Sequence, residues 1–353
     1  MRFKELETVV LKRDLPEQGL RKGDLGDRVD LLRKRLAMTG DLDLPAGEAE
    51  PTFDEALEGA VRRFQRRHGL EDDGIVGRET LAALNVPVEE RVAQMEWNME
   101  RWRWVPHDLG DRYILVNIPE FKMRIVETPG SKVEMRIIVG KQYTATPVFS
   151  GMLNQLELNP AWNIPHRIAV EEVLPNIRKD PGYLAKQRIS VFRDWRDGAP
   201  EIDPETVDWS EVNGRNFSFK LRQEPGPLNP LGRLKFVFPN KFGVYLHDTP
   251  ARGLFSKFAR DVSHGCIRVE KPMELAALLL RDDTRYPKEK ILEWIGSGVR
   301  KTISMRNPIP VHILYWTAWV DDRGTIHFRK DIYGRDTLLA TALKETPPVP
   351  RES

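Results

Sequence analysis

Cys266 is the only cysteine of the sequence, and His247 lies upstream of it. A single cysteine excludes an internal disulfide and a zinc site built on cysteines. It leaves two interpretations, a buried apolar residue or a nucleophile. The local context favours the nucleophile, because the two residues lie in the short polar segments Tyr245-Leu246-His247-Asp248 and Ser263-His264-Gly265-Cys266-Ile267-Arg268.

A cysteine nucleophile needs a base and a place for the developing negative charge. A neighbouring imidazole can lower the pKa of a thiol by pairing with the thiolate, so we expect His247 to be the base of Cys266. Attack on an amide also needs hydrogen-bond donors for the oxyanion. Gly265 lets the backbone approach a substrate, and the amides near Gly265 and Cys266 are the expected donors. These residues predict a cysteine nucleophile that attacks an amide carbonyl.

Four further side chains could assist this chemistry, and each has a structural alternative. Arg268 could bind a substrate carboxylate in a bidentate pair, or pair with a nearby acid. His264 could stabilise the oxyanion, or make an ordinary structural hydrogen bond. Tyr245 shares a strand face with the base and lines the pocket or packs. Trp162 could cover the substrate or pack.

The segments that must position these residues are predominantly β. Short apolar and β-branched runs separated by Pro and Gly predict strands at residues 113–118, 121–127, 135–140, 152–158, 234–238 and 243–247. Helices are predicted at 272–280 and 287–296, and a last hairpin at 312–320 and 325–328. Residues 163–232 interrupt the β pattern with a helical piece near 169–178 and several turns. We interpret this segment as an insertion into a mixed, mainly β catalytic domain.

The N-terminal part is helical by its periodicity. Three helices are predicted between residues 20 and 87, with Asp27 capping the first. Residues 88–107 continue as a helix with an apolar stripe, Val92, Met95, Met99 and Trp102, that is expected to be core. The tryptophans expected to pack against the next domain are Trp97, Trp102 and Trp104. The predicted class is therefore α+β. The predicted boundaries are an N-terminal segment 1–19, a helical module 20–87, a connecting helix 88–111, a catalytic domain 112–340 and a tail 341–353.

Composition excludes several function classes. The formal net charge is +2, which gives no global field for nucleic-acid binding. No run of about 20 apolar residues predicts a membrane span. No cofactor and no metal are implied. Residues 1–20 contain no apolar secretion signal, so we expect either an intracellular protein or a trimmed chain.

The helical module resembles the peptidoglycan-binding type 1 module. The alternative interpretation of this stretch is a three-helix spacer. The resemblance implies a wall-binding role, and it rests on Leu20-Arg21-Lys22-Gly23-Asp24, Gly26, Val29, Ala60-Val61-Arg62-Arg63-Phe64-Gln65, Gly69-Leu70, Asp73-Gly74-Ile75-Val76-Gly77 and Thr80-Leu81.

Residues 112–335 resemble the YkuD-type L,D-transpeptidases, in particular the larger subgroup with a capping insertion. The cap would be residues 163–232. Arg268 is the residue that this subgroup uses at its position, whereas Asp248 departs from the small residues frequent after the base. The matching segments are the cysteine and histidine segments above, Pro160-Ala161-Trp162-Asn163-Ile164-Pro165, Leu174-Pro175-Asn176, Asp180-Pro181-Gly182-Tyr183 and Asn307-Pro308-Ile309-Pro310-Val311-His312.

This resemblance implies a reaction and its partners. Cys266 would attack a donor tetrapeptide stem of peptidoglycan, release D-Ala, and pass the acyl group to the side-chain amine of an acceptor stem in a 3→3 cross-link. The backbone carbonyl of Asp248 would orient His247, while Ser263, Tyr245 and Trp162 would contact substrate. Carbapenem-type β-lactams are implied inhibitors, and the periplasm or cell wall is the implied location. Hydrolysis as an L,D-carboxypeptidase or endopeptidase, or a non-catalytic wall-binding scaffold, are the alternatives.

Overall fold

The structure is a computed structural model that describes residues 19–43, 52–127 and 130–345. The predicted N-terminal segment lies almost entirely outside the described residues, as does most of the predicted tail. The predicted start of that tail, residue 341, lies inside the last helix, which continues to Lys344.

Within these residues the helices are, in chain order, α1 (Asp27–Met38), α2 (Glu55–Arg67), α3 (Arg78–Leu84), α4 (Val88–Arg103), α5 (His166–Ile168), α6 (Leu174–Lys179), α7 (Tyr183–Lys186), α8 (Pro272–Leu280), α9 (Lys288–Ser297) and α10 (Arg335–Lys344). A π-helical turn, Ala169–Val173, joins α5 to α6. The strands are β1 (Arg112–Asn117), β2 (Lys122–Glu127), β3 (Ser131–Gly140), β4 (Phe149–Leu158), β5 (Trp162–Ile164), β6 (Ile189–Phe192), β7 (Glu201–Ile202), β8 (Lys220–Gln223), β9 (Leu234–Val237), β10 (Leu246–His247), β11 (Asp261–Ser263), β12 (Ile267–Val269), β13 (Lys301–Leu314), β14 (Ala318–Val320) and β15 (Ile326–Phe328).

The chain forms two compact units. The first holds the described residues of Met1–Asp108, Asn117–Glu120 and Leu314–Ser353, and the second holds Leu109–Val116 and Phe121–Ile313. The predicted catalytic domain extended to residue 340, but the second unit, called the sheet-bearing unit below, ends at Ile313. The predicted strand at 312–320 is also divided, because its first residues belong to β13 while Ala318–Val320 form a separate hairpin with β15.

The three predicted helices of the N-terminal module are confirmed as α1, α2 and α3. Asp54 caps α2 by accepting a hydrogen bond of 2.8 Å from the Leu57 amide, whereas Gly26 rather than Asp27 occupies the cap position of α1. The Gln65 side chain accepts from the Gly74 amide at 2.9 Å, which holds the turn between α2 and α3. The module has its own core, formed by Leu20, Val29, Leu32, Leu36, Leu42, Phe53, Leu57, Ala60, Val61, Phe64, Val76, Leu81 and Leu84.

Helix α4 contradicts the prediction for its apolar stripe. Met99 is 64% exposed and Trp102 is 48% exposed, while the buried positions are Gln94, Asn98 and Arg101. These polar residues bind the C-terminal segment of the same unit: the Asn98 amide donates to the Thr317 hydroxyl at 2.8 Å. A polar network that reaches the C-terminal segment, rather than apolar periodicity, therefore determines the buried face of this helix.

The second unit contains a nine-stranded sheet with the order β11-β3-β12-β10-β9-β4-β13-β1-β2. Strand β3 pairs with β2 as well as with β12, so the hydrogen-bonded order closes on itself. The mixed, mainly β class is confirmed. Strands β10 and β12 are only two and three residues long, and they lie side by side in the middle of this order.

The insertion between β4 and β9 is more regular than the sequence predicted. It contains the predicted helical piece, which runs through α5, the π turn and α6, but it also contains a four-stranded sheet with the order β5-β8-β6-β7. Its buried side chains form a separate cluster that includes Ile164, Val191 and Leu221. The inserted segment is thus a small α+β layer with a core of its own.

Candidate active site

Two adjacent parallel strands bring the predicted catalytic residues together. Leu246 of β10 lies beside Ile267 of β12, and His247 lies beside Arg268. Paired residues project from the same face of a sheet, and so do residues two positions apart along a strand. The side chains of Tyr245, His247, Cys266 and Arg268 consequently share one face.

The turn that carries the thiol depends on Gly265 and Ser263. Gly265 has φ of +112°, a conformation that L side chains rarely adopt. The buried Ser263 hydroxyl donates to the Cys266 carbonyl at 2.7 Å and accepts from the Gly265 amide at 3.1 Å. Ser263 therefore braces the turn, and the Gly265 amide, expected as an oxyanion donor, is already engaged. The Cys266 amide donates to no acceptor in the part of the chain that the structure describes, so of the two amides expected as oxyanion donors it is the one that is not already engaged.

A second loop, which the sequence did not single out, supports this turn. The Thr146 hydroxyl donates to the Gly265 carbonyl at 2.9 Å and accepts from the Gly140 amide at 2.9 Å. The Thr144 hydroxyl donates to the Ser263 carbonyl at 3.0 Å. A Cβ at Gly140 would lie 2.0 Å from the Thr144 carbonyl oxygen, so only glycine fits there. No local pattern marks these threonines, because the Gly265 and Ser263 carbonyls that they bind lie 119 residues further along the chain.

His247 is buried and has a defined tautomer. Its Nδ1 lies 2.5 Å from the Asp248 carbonyl oxygen, which can only accept, so Nδ1 carries the proton. The Nε2 atom is then unprotonated. Burial, followed by the positive charge of Arg268, lowers the pKa of His247 to about 3. The imidazole is therefore neutral near pH 7 and can accept a proton.

The Asp248 carboxylate does not compete for the imidazole. It accepts from the amides of Thr249 at 2.6 Å and Arg233 at 2.8 Å, and it forms an ion pair with Arg252. A Cβ at Gly232, which has φ of +61°, would lie 2.4 Å from this carboxylate. The side chain of Asp248 therefore fixes the point where the chain leaves the insertion, while its backbone carbonyl orients His247.

The Cys266 thiol is protonated in the free site. Burial raises the pKa of Cys266, although hydrogen bonding by Tyr245 and the charges of two cations oppose this. We expected a thiolate paired with the imidazole, but both pKa shifts favour the neutral thiol and the neutral imidazole. No hydrogen bond among the described residues joins the thiol to His247, and the Sγ atom lies 3.9 Å from the Gly243 carbonyl oxygen. The pKa shifts therefore do not favour a preformed thiolate–imidazolium pair.

Tyr245 lies against the thiol and keeps its proton. Burial raises the pKa of Tyr245 well above its ordinary value, and the interaction with Cys266 adds to the shift. The phenol is also hydrogen-bonded to Trp162. The structure thus brings Tyr245 and Trp162 together with Cys266, and the phenol is placed to donate to the sulfur.

Arg268 has no acidic partner. The alternative interpretation of this residue was a structural ion pair, but within the described ranges its guanidinium makes no ion pair, and its buried Nε has no acceptor. Burial lowers the pKa of Arg268, and the nearby Cys266 opposes this. A partly buried cation without a counter-ion beside the thiol can bind a substrate carboxylate.

Comparison with known proteins identifies the family. Residues 111–304 match the family model of the L,D-transpeptidase catalytic domain. This chain belongs to that family. Residues 26–84 match a model described as a provisional peptidoglycan-binding domain, so both predicted resemblances are confirmed.

One curated relative agrees with this assignment, and solved structures show weaker similarity. A Haemophilus influenzae protein named as a provisional L,D-transpeptidase is 35% identical over 274 residues, which are 75% of this chain and 53% of that protein. The chain therefore spans about half the length of that relative. An L,D-transpeptidase structure from Xylanimonas cellulosilytica is 16% identical and covers 86% of this chain and 100% of its own, with a TM-score of 0.24. One from Stackebrandtia nassauensis is 13% identical and covers 85% and 97%, with a TM-score of 0.29.

In this L,D-transpeptidase domain the insertion contacts the cysteine segment directly. Nε2 of His264 lies 2.6 Å from Oε1 of Glu172, which belongs to the π-helical turn. His264 is therefore engaged by the insertion, which favours its structural alternative over an oxyanion role. The sequence analysis did not single out Glu172. This residue lies in a π-helical turn, an element that is often found at functional sites.

The described residues hold no group of three or more His, Cys, Asp and Glu side chains placed to bind a metal ion. Among the same residues no helix has the length and apolar character of a membrane span.

Proposed function

We propose that this L,D-transpeptidase family member forms 3→3 cross-links in peptidoglycan through a thioester on Cys266. The observation that carries the proposal is the shared strand face on which a neutral imidazole and an unpaired guanidinium flank the only thiol. A neutral thiol and a neutral base suit an amide substrate, because the proton taken from sulfur is later given to the leaving amine.

The proton and bond changes balance over two half-reactions. Cys266 Sγ forms a bond to the carbonyl between the L-centre of diaminopimelate and D-Ala, while His247 Nε2 takes the thiol proton. The C–N bond breaks, and His247 gives the proton to the D-Ala amine. The side-chain amine of an acceptor stem then attacks the thioester, His247 takes its proton, and the thiol is restored.

The other residues have supporting roles in this proposal. The Cys266 amide and the Tyr245 hydroxyl donate to the developing oxyanion, and removal of one such donor typically costs about 100-fold or more in rate. Arg268 holds a carboxylate of the donor stem, and Trp162 lies over it. Residues 163–232 act as a cap that limits access of water, which favours transfer over hydrolysis.

The two units have different roles in this proposal. The module at residues 20–87 holds the polymer, and the sheet-bearing unit performs the chemistry, so that tethering raises the local concentration of stems. The site of action is the periplasm or cell wall. Carbapenem-type β-lactams acylate Cys266 in this account, because a strained amide meets the same thiol and the same donors.

The test is incubation of the purified protein with disaccharide-tetrapeptide, followed by mass spectrometry of the products, with Cys266→Ala as the matched control. A dimer that has lost one D-Ala, absent in the control, is the expected product. Tripeptide alone would instead assign an L,D-carboxypeptidase. No turnover together with retained binding to sacculi would assign a wall-binding scaffold.

A further inference from the structure

Four charged or titratable residues form a row across the sheet beside the thiol. His247 of β10 lies between Arg268 of β12 and Lys235 of β9, and Lys235 lies beside Glu157 of β4. Directly paired residues project from the same face. Lys235 and Glu157 therefore belong to the same face as Cys266, although they lie far from it in the sequence and no motif marked them.

The ammonium group of Lys235 is held in place from two sides. Its Nζ donates to Glu157 Oε1 at 3.1 Å and lies 4.6 Å from the ring centroid of Tyr245. The side chains of Lys235 and Glu157 are only 19% and 11% exposed. A lysine normally keeps its ammonium group in water. Burial of this one is unfavourable unless its contacts with Glu157 and the Tyr245 ring compensate for the lost water. The cation is fixed on the ring whose hydroxyl contacts Cys266.

A fixed cation near a buried thiol favours its ionised form. Burial is the main cause that raises the pKa of Cys266, and the charges of Lys235 and Arg268 both act against it. Arg268 has a further task in the proposed function, because it binds a substrate carboxylate that would neutralise it. Lys235 is already paired with Glu157, so its field at the thiol does not depend on whether substrate is bound.

We propose that Lys235, anchored by Glu157, is a positioning residue that stabilises the anionic form of Cys266 and fixes the Tyr245 hydroxyl against it. The assignment deepens the proposed function, because it concerns activation of the same thiol and assigns a residue that the family match does not. It does not need a substrate to be tested.

The test uses the fact that Cys266 is the only thiol. Alkylation of the intact protein by iodoacetamide is followed by mass between pH 6 and pH 11, which gives the titration of this one group. Lys235→Gln keeps a donor for Glu157 but removes the charge, and we expect an upward shift of the midpoint with a rate at pH 7 about 3- to 10-fold lower, where tenfold corresponds to one pKa unit. Lys235→Arg should restore the wild-type profile within about twofold, since it restores the charge.

Arg300→Gln is the matched control. Arg300 contacts the same carboxylate of Glu157 at 3.4 Å but is 54% exposed, and its loss should leave the profile unchanged. If Lys235→Gln does not fold, the double variant Lys235→Gln with Glu157→Gln removes both buried charges together and should still show an upward shift, but a smaller one, because the anion that opposes the Lys235 charge is also removed. An unshifted profile in a folded variant that lacks the Lys235 charge overturns the proposal. A shifted profile in a protein that makes no cross-links would overturn the proposed function and leave the role of Lys235 standing.

Discussion

Replacement of Asp336 by Ala should destabilise the first unit strongly, because it removes the counter-ion of a buried arginine. Arg101 Nη1 lies 2.5 Å from Asp336 Oδ1, and each of the two side chains is 7% exposed. The Thr317 hydroxyl also donates to this carboxylate at 2.8 Å. Loss of one partner of a buried pair costs about 3–5 kcal/mol, since the other charge stays in the interior without compensation.

This magnitude is large enough for a simple assay. With a denaturant slope of about 2 kcal/mol per molar urea, a loss of about 4 kcal/mol moves the midpoint of the first unit by about 2 M. Tryptophan fluorescence and far-UV circular dichroism would follow urea unfolding. Arg103→Ala is the matched control on the same helix, because Arg103 pairs with Glu100 but is 75% exposed, and its loss should cost less than about 1 kcal/mol.

A double variant separates the charge from the packing. Arg101→Met with Asp336→Leu removes both ions and fills their space with apolar atoms, and such a change is often neutral or stabilising. We expect it to recover most of the stability that Asp336→Ala loses. A midpoint for Asp336→Ala within 0.5 M of the Arg103→Ala control, a margin of about 1 kcal/mol at this slope, would refute the argument that this polar network determines the buried face of α4.

Three further predictions concern the cap of α2, the buried His247 and the loop behind the thiol. Asp54→Ala should cost more than the ~1 kcal/mol of a helix cap, because this carboxylate also lies 2.6 Å from the buried Arg33 guanidinium; Asp54→Asn can still cap but lacks the charge, so it should recover only the share of the cap, and thermal unfolding measures both. The pKa of His247 is lowered to about 3 in the folded protein, so the folded protein binds fewer protons than the unfolded chain between pH 6.5 and 3. Its stabilising contribution is present above pH 6.5 and lost as pH falls, on the order of 4 kcal/mol, and His247→Gln should flatten this part of the pH–stability curve. Thr146→Val removes the hydroxyl that donates to the Gly265 carbonyl and accepts from the Gly140 amide. We expect this to lower the free energy of unfolding of the second unit by about 2–4 kcal/mol, measured in urea.

Local signals predicted the parts of this protein that depend on neighbours in sequence. Helix α2 is one of the three helices that the periodicity predicts, because an apolar stripe and a cap act within a few residues. The approach of His247 to the cysteine segment follows from the motif and from the short strands that carry it. These signals need no knowledge of distant partners.

Long-range pairing explains what the sequence did not predict. Strand β5 pairs with β8, where Trp162 lies opposite Gln223, and such short strands have no clear alternation by themselves. The threonine loop acts on residues far along the chain, as Thr146 does on Gly265. The buried face of α4 contradicts its apolar periodicity because Asn98 and Arg101 find partners that only the folded chain supplies. In each case tertiary contacts override local pattern.

Direct detection of an acyl-enzyme on Cys266 tests the central claim most closely. The protein would be mixed with a tetrapeptide donor whose side-chain amine is acetylated, so that no acceptor is present, then quenched in acid and analysed by intact mass and peptide mapping. We predict an adduct equal to the donor minus D-Ala, located on the peptide of Cys266 and absent in Cys266→Ala, with slower formation in His247→Gln. Release of D-Ala without any adduct on this peptide, or equal turnover by Cys266→Ala, would contradict the account.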